Sequence, residues 1–554
     1  MAIPDQENRD PFYYLENFQR VLQWVVERYS DLMNAHEHAF IEQFTLLPQS
    51  SRALLVRMVM RKGELFRTGK LRYDEIGCPR RAAVALIGLG WLDEEPLLAL
   101  DQLFVLLNKT EIAERFGALL KPGTKADQLL QLRGHFGAAE TFNAWLPQST
   151  ECVYQLRITP LCNRLRLMFF GNLRQDWSEF VLADLGIYRY EKVEFSALSR
   201  GFHTRCDVDA YLHLYDCRVR LEQGEPAEDI FSLVPEDIYP NAWLESRRAK
   251  LLFHIAQHYE RAGVWPWAYA IYSVCSHSGS RIRAVRMLER CGQFEAALQQ
   301  TQNLDGTGVP DGAGINDADR QQLSRITARL RRKLALPQLP VTAAAPLARL
   351  DLLLPRPDTV ISVEETVGNY LGTAHEPVYY VENTLVNSLF GLLCWPAIFL
   401  PLPGAFFHPF HSGPADLLSA DFYPQRRQPF ADCLSQLDTP QYKDTIVQRF
   451  RDKFGLQSPF VFWEILTEEL ITLALDCIPA AHLKKWFERM LLDLSANRAG
   501  WPDLIRFWPR QQRYQMIEVK GPGDRLQDNQ QRWLAYFTAH EMPVAVCYVQ
   551  WAEQ

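Results

Sequence analysis

The chain lacks any long apolar run and any paired-cysteine motif. A membrane-spanning helix needs about 18 consecutive apolar residues, and the best candidate, residues 388–402, is shorter and contains Pro396 and Pro401. The 11 cysteines are scattered and form no C-x-x-C pair, so neither a disulfide framework nor a zinc finger is indicated. The first 20 residues carry four acidic side chains, unlike a secretory signal. We therefore expect a cytoplasmic protein without membrane contact.

The chain also lacks a net positive charge. Its 59 Lys and Arg face 66 Asp and Glu, for a formal net charge of -7, which counts against a nucleic-acid partner because DNA binding depends on Lys and Arg at phosphates. The basic residues are nevertheless concentrated, because residues 52–81 contain nine of them and only three acidic residues. They are Arg52, Arg57, Arg61, Lys62, Arg67, Lys70, Arg72, Arg80 and Arg81. This stretch could hold duplex DNA through phosphate contacts, and a solvated helix face is the alternative.

The length of 554 residues is too great for one hydrophobic core and predicts roughly three or four domains. Apolar residues at helical spacing predict a helical domain over residues 1–200, to which the basic stretch assigns DNA binding, and a helical domain resembling tetratricopeptide repeats over 205–335. Five prolines between residues 336 and 358 predict an extended connector. The predicted fold class is a multidomain protein with mainly α-helical N-terminal and middle regions, followed by an α/β domain over 360–554.

A helix-turn-helix outline lies within the N-terminal region. Asn108, with Glu111 three residues later, is a capping signal for one helix. The Lys-Pro-Gly-Thr segment at residues 121–124 ends that helix, and Lys125 begins another. We therefore expect two short helices joined by a turn.

The strongest chemical signal is a predicted β-hairpin near residues 500–520. Residues 504–508 and 514–520 have strand-like composition and are joined by a polar turn that contains Pro509. Side chains alternate across a strand, so Glu518 and Lys520 project from one face while Val519 packs on the other. Asp503, at the start of the partner strand, can reach the face of Glu518 and Lys520.

Two converging carboxylates beside a lysine are suited to phosphodiester chemistry. Asp503 and Glu518 offer hard oxygen ligands for Mg2+ or Mn2+, and a cation there can polarise a phosphodiester while Lys520 steadies the developing charge. The alternative is a turn followed by a solvated strand face with an ion pair. A similar fragment at residues 413–417, which contains Asp416, has no Glu-x-Lys at hairpin distance and is rejected as the catalytic pair.

The segment after Lys520 predicts a helix behind the hairpin. A Gly- and Pro-containing loop, residues 521–526, leads into residues 528–534. Gln530 and Trp533 share one helical face by their spacing of three residues. We expect Gln530 to point toward the site and Trp533 to enter the core.

These residues resemble the VRR-NUC branch of the PD-(D/E)xK nucleases. The matching pattern is Gly500-x-Pro502-Asp503-Leu504, Glu518-Val519-Lys520-Gly521-Pro522 and Asp524-Arg525-Leu526, followed by Gln530 and Trp533. The chain also looks like the Fanconi-associated structure-specific nuclease family. The features that carry this resemblance are Glu382, residues 391–395 and 398–399, the segment 57–76 and the domain order. The resemblance implies that residues 360–554 form a restriction-endonuclease-like α/β nuclease domain.

The resemblance also implies the roles of individual residues. The implied metal ligands for Mg2+ or Mn2+ are Glu382, Asp503, Glu518 and the backbone carbonyl of Val519. The implied catalytic residues are Asp503, Glu518, Lys520 and Gln530. The candidate DNA contacts are Arg57, Arg61, Lys62, Arg67, Lys70, Arg72 and Arg525. Glu382 is assigned to the metal site by resemblance. On a predicted helix over residues 381–393 it would otherwise be a charged residue at the edge of a core-facing helix, and Glu464 or Glu468 could be the ligand instead.

The function implied by the resemblance is cleavage of branched DNA, particularly 5′ flaps, with 5′-to-3′ directionality and a role in interstrand-crosslink repair. No Cys/His cluster precedes the basic stretch, so the ubiquitin-binding zinc finger of longer animal members has no counterpart. This fits a compact bacterial member that acts at the nucleoid. The alternatives are a non-catalytic DNA-junction or helical-repeat scaffold with an inactive nuclease domain, and a sequence-specific restriction-like enzyme, for which no base-reading module is visible. Intact Asp503, Glu518 and Lys520 argue against the scaffold.

Overall fold

A computed structural model describes residues 10–175, 177, 188–305, 315–339, 347–357 and 359–552. The chain divides into two compact units. The first unit comprises Met1–Ile187 with Phe202–Val208, and the second comprises Tyr188–Gly201 with Asp209–Gln554. All 11 cysteines are free thiols. None of the helices in the described part of the chain is both long and apolar enough to cross a membrane.

The first unit is mainly helical, as predicted. Its described helices are α1 (Tyr13–Tyr29), α2 (Ala35–Leu46), α3 (Gln49–Val59), α4 (Pro79–Gly88), α5 (Leu100–Leu106), α6 (Lys109–Phe116), α7 (Lys125–Leu132), α8 (Phe142–Trp145) and α9 (Thr159–Phe170). The caps of the predicted helix pair are confirmed, because Asn108 accepts from the backbone N–H of Glu111 and Thr124 from that of Asp127. Each bond satisfies an N–H that has no partner within its own helix.

A small antiparallel sheet in the first unit was not predicted. Strands β1 (Leu65–Arg67), β2 (Leu92–Asp93) and β3 (Val153–Leu156) pair in the order β1-β3-β2. Strands this short show no readable alternation in the sequence. As a result, part of the basic stretch is not a helix face: β1 interrupts it after α3, and Phe66 is buried.

A helical segment follows, as predicted for residues 205–335, and all of it from Asp209 onward belongs to the second unit. The described helices of this segment are α10 (Arg205–Glu222), α11 (Ala227–Leu233), α12 (Ala242–Arg261), α13 (Trp265–Val274), α14 (Ser280–Arg290), α15 (Phe294–Asp305) and α16 (Asp317–Lys333). Successive helices pack on one another through apolar faces that include Ile255, Ile271 and Leu288. This stacking of neighbours is typical of helical repeats.

The rest of the second unit is an α/β domain. Its helices are α17 (Val363–Leu371), α18 (Leu385–Leu393), α19 (Trp395–Ile398), α20 (Phe422–Gln425), α21 (Arg427–Ser435), α22 (Gln441–Asp452), α23 (Glu468–Cys477), α24 (Ala480–Leu492), α25 (Leu494–Asn497) and α26 (Asp528–Ala539). Its strands are β4 (Ala348–Leu354), β5 (Val378–Tyr380), β6 (Leu504–Trp508), β7 (Arg513–Lys520) and β8 (Val544–Trp551). They form one sheet in the order β4-β8-β7-β6-β5, with β4 and β7 parallel to β8 and the β5-β6-β7 pairs antiparallel.

Two segments differ from the sequence-based expectations. Residues 348–354, which fall in the stretch expected to be a connector, form β4 and pair with β8. The strand is possible because Pro346 and Pro355 flank this apolar run and do not interrupt it. The helix predicted over residues 381–393 begins only at Leu385, because Asn383 has a left-handed backbone with φ of 53°. Glu382 therefore lies in a turn that precedes α18.

The core of the α/β domain packs against both faces of the sheet. On one face lie the predicted core residue Trp533 and its neighbour Trp501, whose rings are 3.7 Å apart, together with Trp486. On the other face Val519 and Leu504 pack with residues of α17 such as Val367. The alternation predicted for β7 is therefore confirmed: Val519 lies on the face opposite to Glu518 and Lys520.

Candidate active site

The β6–β7 ladder brings Asp503 and Glu518 together. Leu504 is paired with Ile517, so the residues one step outward, Asp503 and Glu518, lie opposite each other at the same end of the hairpin. The backbone N–H of Val519 donates a hydrogen bond of 2.7 Å to Oδ2 of Asp503. The strand bounds and the convergence of the two carboxylates both agree with the sequence prediction.

Both carboxylates are buried, which makes their negative charges costly. Asp503 is 6% exposed and Glu518 is fully buried. Burial raises the pKa of Asp503 to about 6; the Val519 N–H opposes this shift and the charge of Glu382 adds to it. Burial and then the charge of Asp503 raise the pKa of Glu518 to about 7, against the effect of Lys520. Two adjacent carboxyls with raised pKa values are typical of a site that binds a cation or transfers a proton.

Lys520 neutralises only part of this charge. Its Nζ lies 2.7 Å from Oε1 of Glu518 in an ion pair, but both oxygens of Glu518 are buried and, within the described part of the chain, neither accepts a well-formed hydrogen bond; Oε2 is without any such partner there. A buried carboxylate oxygen without a partner is unfavourable. A divalent cation between Asp503 and Glu518 would satisfy this oxygen, so the donor set fits a hard metal ion.

Glu382 lies close enough to act on the buried pair. Its charge raises the pKa of Asp503 and of Glu518, in each case as a smaller contribution after burial. The hydroxyl of Tyr380 donates to Oε2 of Glu382 over 2.6 Å, and Nδ2 of Asn383 donates to Oε1 over 3.2 Å. Glu382 is thus fixed at the edge of the pair by its chain neighbours.

The two competing glutamates have other surroundings. Glu464 is exposed in the loop before α23, and Glu468 forms an ion pair with Arg451. Neither is among the largest causes that raise the pKa of Asp503 or Glu518, whereas Glu382 is among them for both. The geometry therefore favours Glu382 over both, and its role as a ligand stays a prediction.

Glu364 is a site residue that the sequence reasoning missed. It lies in the first turn of α17, and its charge contributes to raising the pKa of Asp503 and of Tyr380, whose largest cause is burial. Glu364 and Tyr380 also line a cleft of about 380 Å³ beside β5. In the sequence, two glutamates after Ser362 read as an ordinary acidic helix start, so no local signal separates Glu364 from Glu365.

Among the residues that the structure describes, no three carboxylate, imidazole or thiol groups converge closely enough to hold a metal ion by themselves. The site is a tight pair, Asp503 and Glu518, with Glu382 and Glu364 nearby. Such a site suits a cation that keeps several water or phosphate ligands, as Mg2+ does.

The helix predicted behind the hairpin is confirmed as α26. The side chain of Gln530, however, bonds to the start of its own helix. Its Oε1 accepts from the backbone N–H of Gln527 over 2.9 Å and so caps the helix start. Gln530 is buried, and its predicted catalytic role stays a prediction. Arg525 is exposed in the loop that follows Lys520, as a substrate contact would need to be.

The basic stretch of the first unit separates into two groups. Arg57 pairs with Glu75 at 2.6 Å and packs over the ring of Tyr14, while Arg67 is 9% exposed and pairs with Glu111 and Glu151. These two arginines hold the unit together. The other predicted DNA contacts are exposed and form no ion pair within the described residues: Arg61, Lys62, Lys70 and Arg72.

The rejected fragment around Asp416 has a structural role. Both oxygens of Asp416 accept hydrogen bonds from the guanidinium of Arg426, at 2.7 and 3.1 Å. Arg426 is fully buried and stacks over Phe422. Asp416 therefore neutralises a buried arginine, which agrees with its rejection as a catalytic carboxylate.

The chain is similar to known proteins over nearly its whole length. It is 56% identical over 544 residues to the Fanconi-associated nuclease 1 homolog of Pseudomonas aeruginosa, covering 98% of this chain and 96% of that protein. The chain belongs to the Fanconi-associated nuclease 1 family. Membership makes it a nuclease that depends on a divalent cation. The human Fanconi-associated nuclease 1 is 22% identical, with 99% of this chain and 63% of that protein covered.

Solved structures agree with this family membership. The crystal structure of paFAN1 bound to 2nt 5′ flap DNA with gap matches with a TM-score of 0.92 and 55% identity, covering 100% of both chains. A second structure, of paFAN1 bound to 1nt 5′ flap DNA with gap, matches with a TM-score of 0.91 and 55% identity, covering 98% of this chain and 100% of that chain.

Three domain models match separate segments of the chain. The VRR-NUC domain matches residues 438–551, the HTH domain of FAN1 residues 12–93, and the Fanconi anemia-associated nuclease SAP domain residues 97–145. Helices α6 and α7, expected to be a helix-turn-helix, therefore lie in the SAP match, and the HTH match precedes them. Capping signals locate helices but do not distinguish two helical folds.

Proposed function

We propose that this family member is a structure-specific nuclease that hydrolyses phosphodiester bonds in branched DNA and prefers 5′ flaps. Two solved structures of one similar protein, paFAN1, carry 5′ flap DNA. The observation that carries the proposal is the buried pair Asp503 and Glu518, placed beside Lys520 at one end of β6 and β7. A 5′-to-3′ exonuclease activity and a role in DNA repair, including that of interstrand crosslinks, are part of the proposal, as is action at the bacterial nucleoid.

We propose that Asp503, Glu518 and the backbone carbonyl of Val519 hold Mg2+ or Mn2+, with Glu382 completing the set. The bound cation would polarise the scissile phosphate and lower the pKa of a coordinated water. Val519 fixes Asp503 through its N–H, which leaves the other carboxylate oxygen of Asp503 for the cation. Burial of both carboxylates excludes competing water and strengthens their attraction for a positive ion.

Lys520 and the helix α26 complete the proposed chemistry. The ammonium of Lys520, held at Glu518, is positioned to steady negative charge that develops on the phosphate. Gln530, at the start of α26, and the exposed Arg525 are the proposed neighbours of the substrate strand. Arg525 would add a phosphate contact that positions DNA without reading its sequence.

We propose that the first unit binds duplex DNA through the exposed part of its basic stretch. Arg61, Lys62, Lys70 and Arg72 have no carboxylate partner among the described residues, so their charges are available to phosphates. Arg57 and Arg67 support this surface from within, through their ion pairs. The proposed division of labour is DNA binding by residues 1–200, a helical scaffold at 205–335 and cleavage by 360–554.

A nuclease assay on defined substrates tests the proposal. Labelled 5′-flap, 3′-flap, Holliday-junction and linear duplexes are incubated with Mg2+, Mn2+ or EDTA. We expect fastest cleavage of the 5′ flap, with either cation and none with EDTA. If flap DNA binds tightly and no substrate is cut with either cation, the protein is the non-catalytic junction scaffold and the proposal is wrong.

A further inference from the structure

Asn383 connects the two halves of the candidate metal site. Its Oδ1 accepts hydrogen bonds from the backbone N–H groups of Gly500, at 2.9 Å, and Trp501, at 3.3 Å. Its Nδ2 donates to Oε1 of Glu382 over 3.2 Å. One amide side chain therefore holds both Glu382 and the segment that leads two residues later into Asp503.

The backbone of Asn383 is shaped for this bridge. Its φ of 53° lies in the left-handed region, which asparagine tolerates better than most residues with a side chain. This conformation ends the extended β5 segment and turns the chain into α18. The amide is thereby directed back at residue 500 across a gap of more than a hundred positions in the sequence.

A second amide secures the same contact. Nδ2 of Asn387, in the first turn of α18, donates to the backbone oxygens of Asn383 and of Arg498, each over 2.8 Å. The loop is also packed from its other side, because a Cβ at Gly500 would lie 2.8 Å from Asn529 of α26. The segment from Arg498 to Trp501 is therefore held between α18 and α26.

We propose that Asn383 is a positioning residue that sets the separation between Glu382 and Asp503 across the cation site. This inference rests on the proposed function, because it assigns a cation to these carboxylates. The two carboxylates come from segments that are far apart in sequence: Glu382 is bonded to Asn383 directly, and Asp503 follows two residues after Trp501, whose backbone N–H is bonded to Asn383. Residues that orient metal ligands typically change metal affinity or activity by about 10- to 100-fold when replaced.

Two substitutions distinguish the bonds of Asn383 to Gly500 and Trp501 from its bond to Glu382. Asn383→Gly keeps the left-handed backbone and removes all three side-chain hydrogen bonds. Asn383→Asp keeps the acceptor for Gly500 and Trp501 and replaces the donor to Glu382 by a second carboxylate oxygen. Thr467→Ala, which removes the N-cap bond to Leu470 in the same domain, is the matched control for a loss of stability alone.

The first measurement is Mn2+ binding by calorimetry, which needs no nuclease activity. We expect Asn383→Gly to weaken Mn2+ binding about tenfold, and Asn383→Asp, which keeps the bonds to Gly500 and Trp501, to bind Mn2+ more tightly than Asn383→Gly does. Thr467→Ala should bind Mn2+ as the unaltered protein does, although its melting temperature falls.

The second measurement is flap cleavage at graded Mn2+. We expect Asn383→Gly to lower kcat about tenfold with little change in KM for DNA, and raised Mn2+ to restore part of the rate. Unchanged Mn2+ binding in Asn383→Gly, or Mn2+ binding by Asn383→Asp that is no tighter than by Asn383→Gly, would overturn the inference. Failure of the unaltered protein to cut any flap while these binding shifts occur would overturn the proposed function and leave the role of Asn383 standing.

Discussion

The carboxylate of Asp503 accepts a hydrogen bond of 2.7 Å from the backbone N–H of Val519, the residue between Glu518 and Lys520. This bond fixes one oxygen of Asp503 relative to the strand that carries the other two chemical groups. The geometry of all three groups is therefore set by one register of β6 on β7. A shift of that register by one residue would place Glu518 on the opposite face of the sheet.

Asp503→Asn is expected to abolish cleavage and leave flap binding intact. The amide keeps the size of the side chain and can still accept from Val519, but it removes the charge that a hard cation requires. We expect kcat to fall by at least about 1000-fold. Cleavage is followed with a labelled 5′ flap, and binding by fluorescence anisotropy in Ca2+.

Asp416→Asn serves as the comparison for this variant. Asp416 neutralises the buried Arg426, so its replacement should lower stability and leave the rate of the remaining folded protein unchanged. If Asp503→Asn cleaves at the rate of the unaltered protein, the carboxylate pair is not the metal site.

Glu518→Gln is expected to stabilise the metal-free protein at high pH. Burial raises the pKa of Glu518 to about 7, above the usual value of about 4.3 in an unfolded chain. The folded state then holds the proton more tightly, so stability falls as pH rises from about 4 to about 7 and stays reduced above that. The penalty at pH 8 is of the order of 3 kcal/mol, from a shift of between two and three pH units.

Thermal unfolding in EDTA at pH 5 and pH 8 tests this pH dependence. Glu518→Gln should melt above the unaltered protein at pH 8, and the difference should shrink toward pH 5. The exposed Glu488→Gln is the control and should show no such difference. A Glu518→Gln protein that melts below the unaltered one at pH 8 would mean that the carboxylate is well solvated or fully paired.

Side-chain positions that depend on local spacing could be predicted from the sequence. Alternation along β7 placed Glu518 and Lys520 on one face, and helical spacing placed Trp533 in the core; both are confirmed. Contacts between distant segments could not be read in this way. Asn383 bonds to Gly500 across more than a hundred residues, and nothing in its neighbourhood marks this partner.

The helix expected over residues 381–393 shows the same limit. Apolar periodicity continues through Val381, but the left-handed turn at Asn383 depends on its tertiary contacts, so the helix begins at Leu385. Strand β4 was missed because an apolar run between prolines does not reveal that β8 is available for pairing. Glu364 was missed because its distance from Asp503 is set by the packing of α17 on the sheet.

Glu364→Gln is expected to reduce cleavage at limiting cation. Its charge acts on Asp503, so removing it lowers the negative potential that attracts a divalent ion. We expect the Mg2+ concentration for half-maximal rate to rise several-fold, with the rate at saturating Mg2+ much less affected. Glu365→Gln, one residue further along α17, is the matched control. Equal effects from both variants would mean that only the net charge of the helix start matters.

Replacing Arg61, Lys62 and Lys70 by alanine together is expected to weaken DNA binding and reduce its salt dependence. Each lost phosphate contact removes about 0.9 from the slope of log affinity against log salt, so the triple variant should lose up to about 2.7. Binding of a 5′ flap is measured between about 50 and 200 mM salt. An unchanged slope would assign these residues to a solvated surface.

Arg67→Ala provides the contrasting result within the same stretch. Arg67 is nearly buried between Glu111 and Glu151, and its removal leaves two carboxylates without a partner. We expect a loss of stability in the first unit with a nearly unchanged salt slope. A slope change as large as that of the triple variant would show that Arg67 contacts phosphate when DNA is bound.

Glu382→Gln is expected to lower cleavage sharply without unfolding the protein. The amide keeps the size of the side chain, and its one oxygen can accept from either Tyr380 or Asn383, which donate to different oxygens of Glu382. It removes the charge that acts on Asp503 and Glu518, so the affinity for a hard cation falls. Raised Mn2+ should restore part of the rate, because the missing contribution is to metal binding.

Glu464→Gln is the matched variant for Glu382→Gln, since Glu464 is exposed and does not act on the carboxylate pair. It should cleave a 5′ flap at the rate of the unaltered protein, at every cation concentration. If the two variants exchange phenotypes, Glu382 is not the third carboxylate of the site. The pair Asp503 and Glu518 would still hold the cation in that case, because its geometry depends on the register of β6 and β7 and not on the turn before α18.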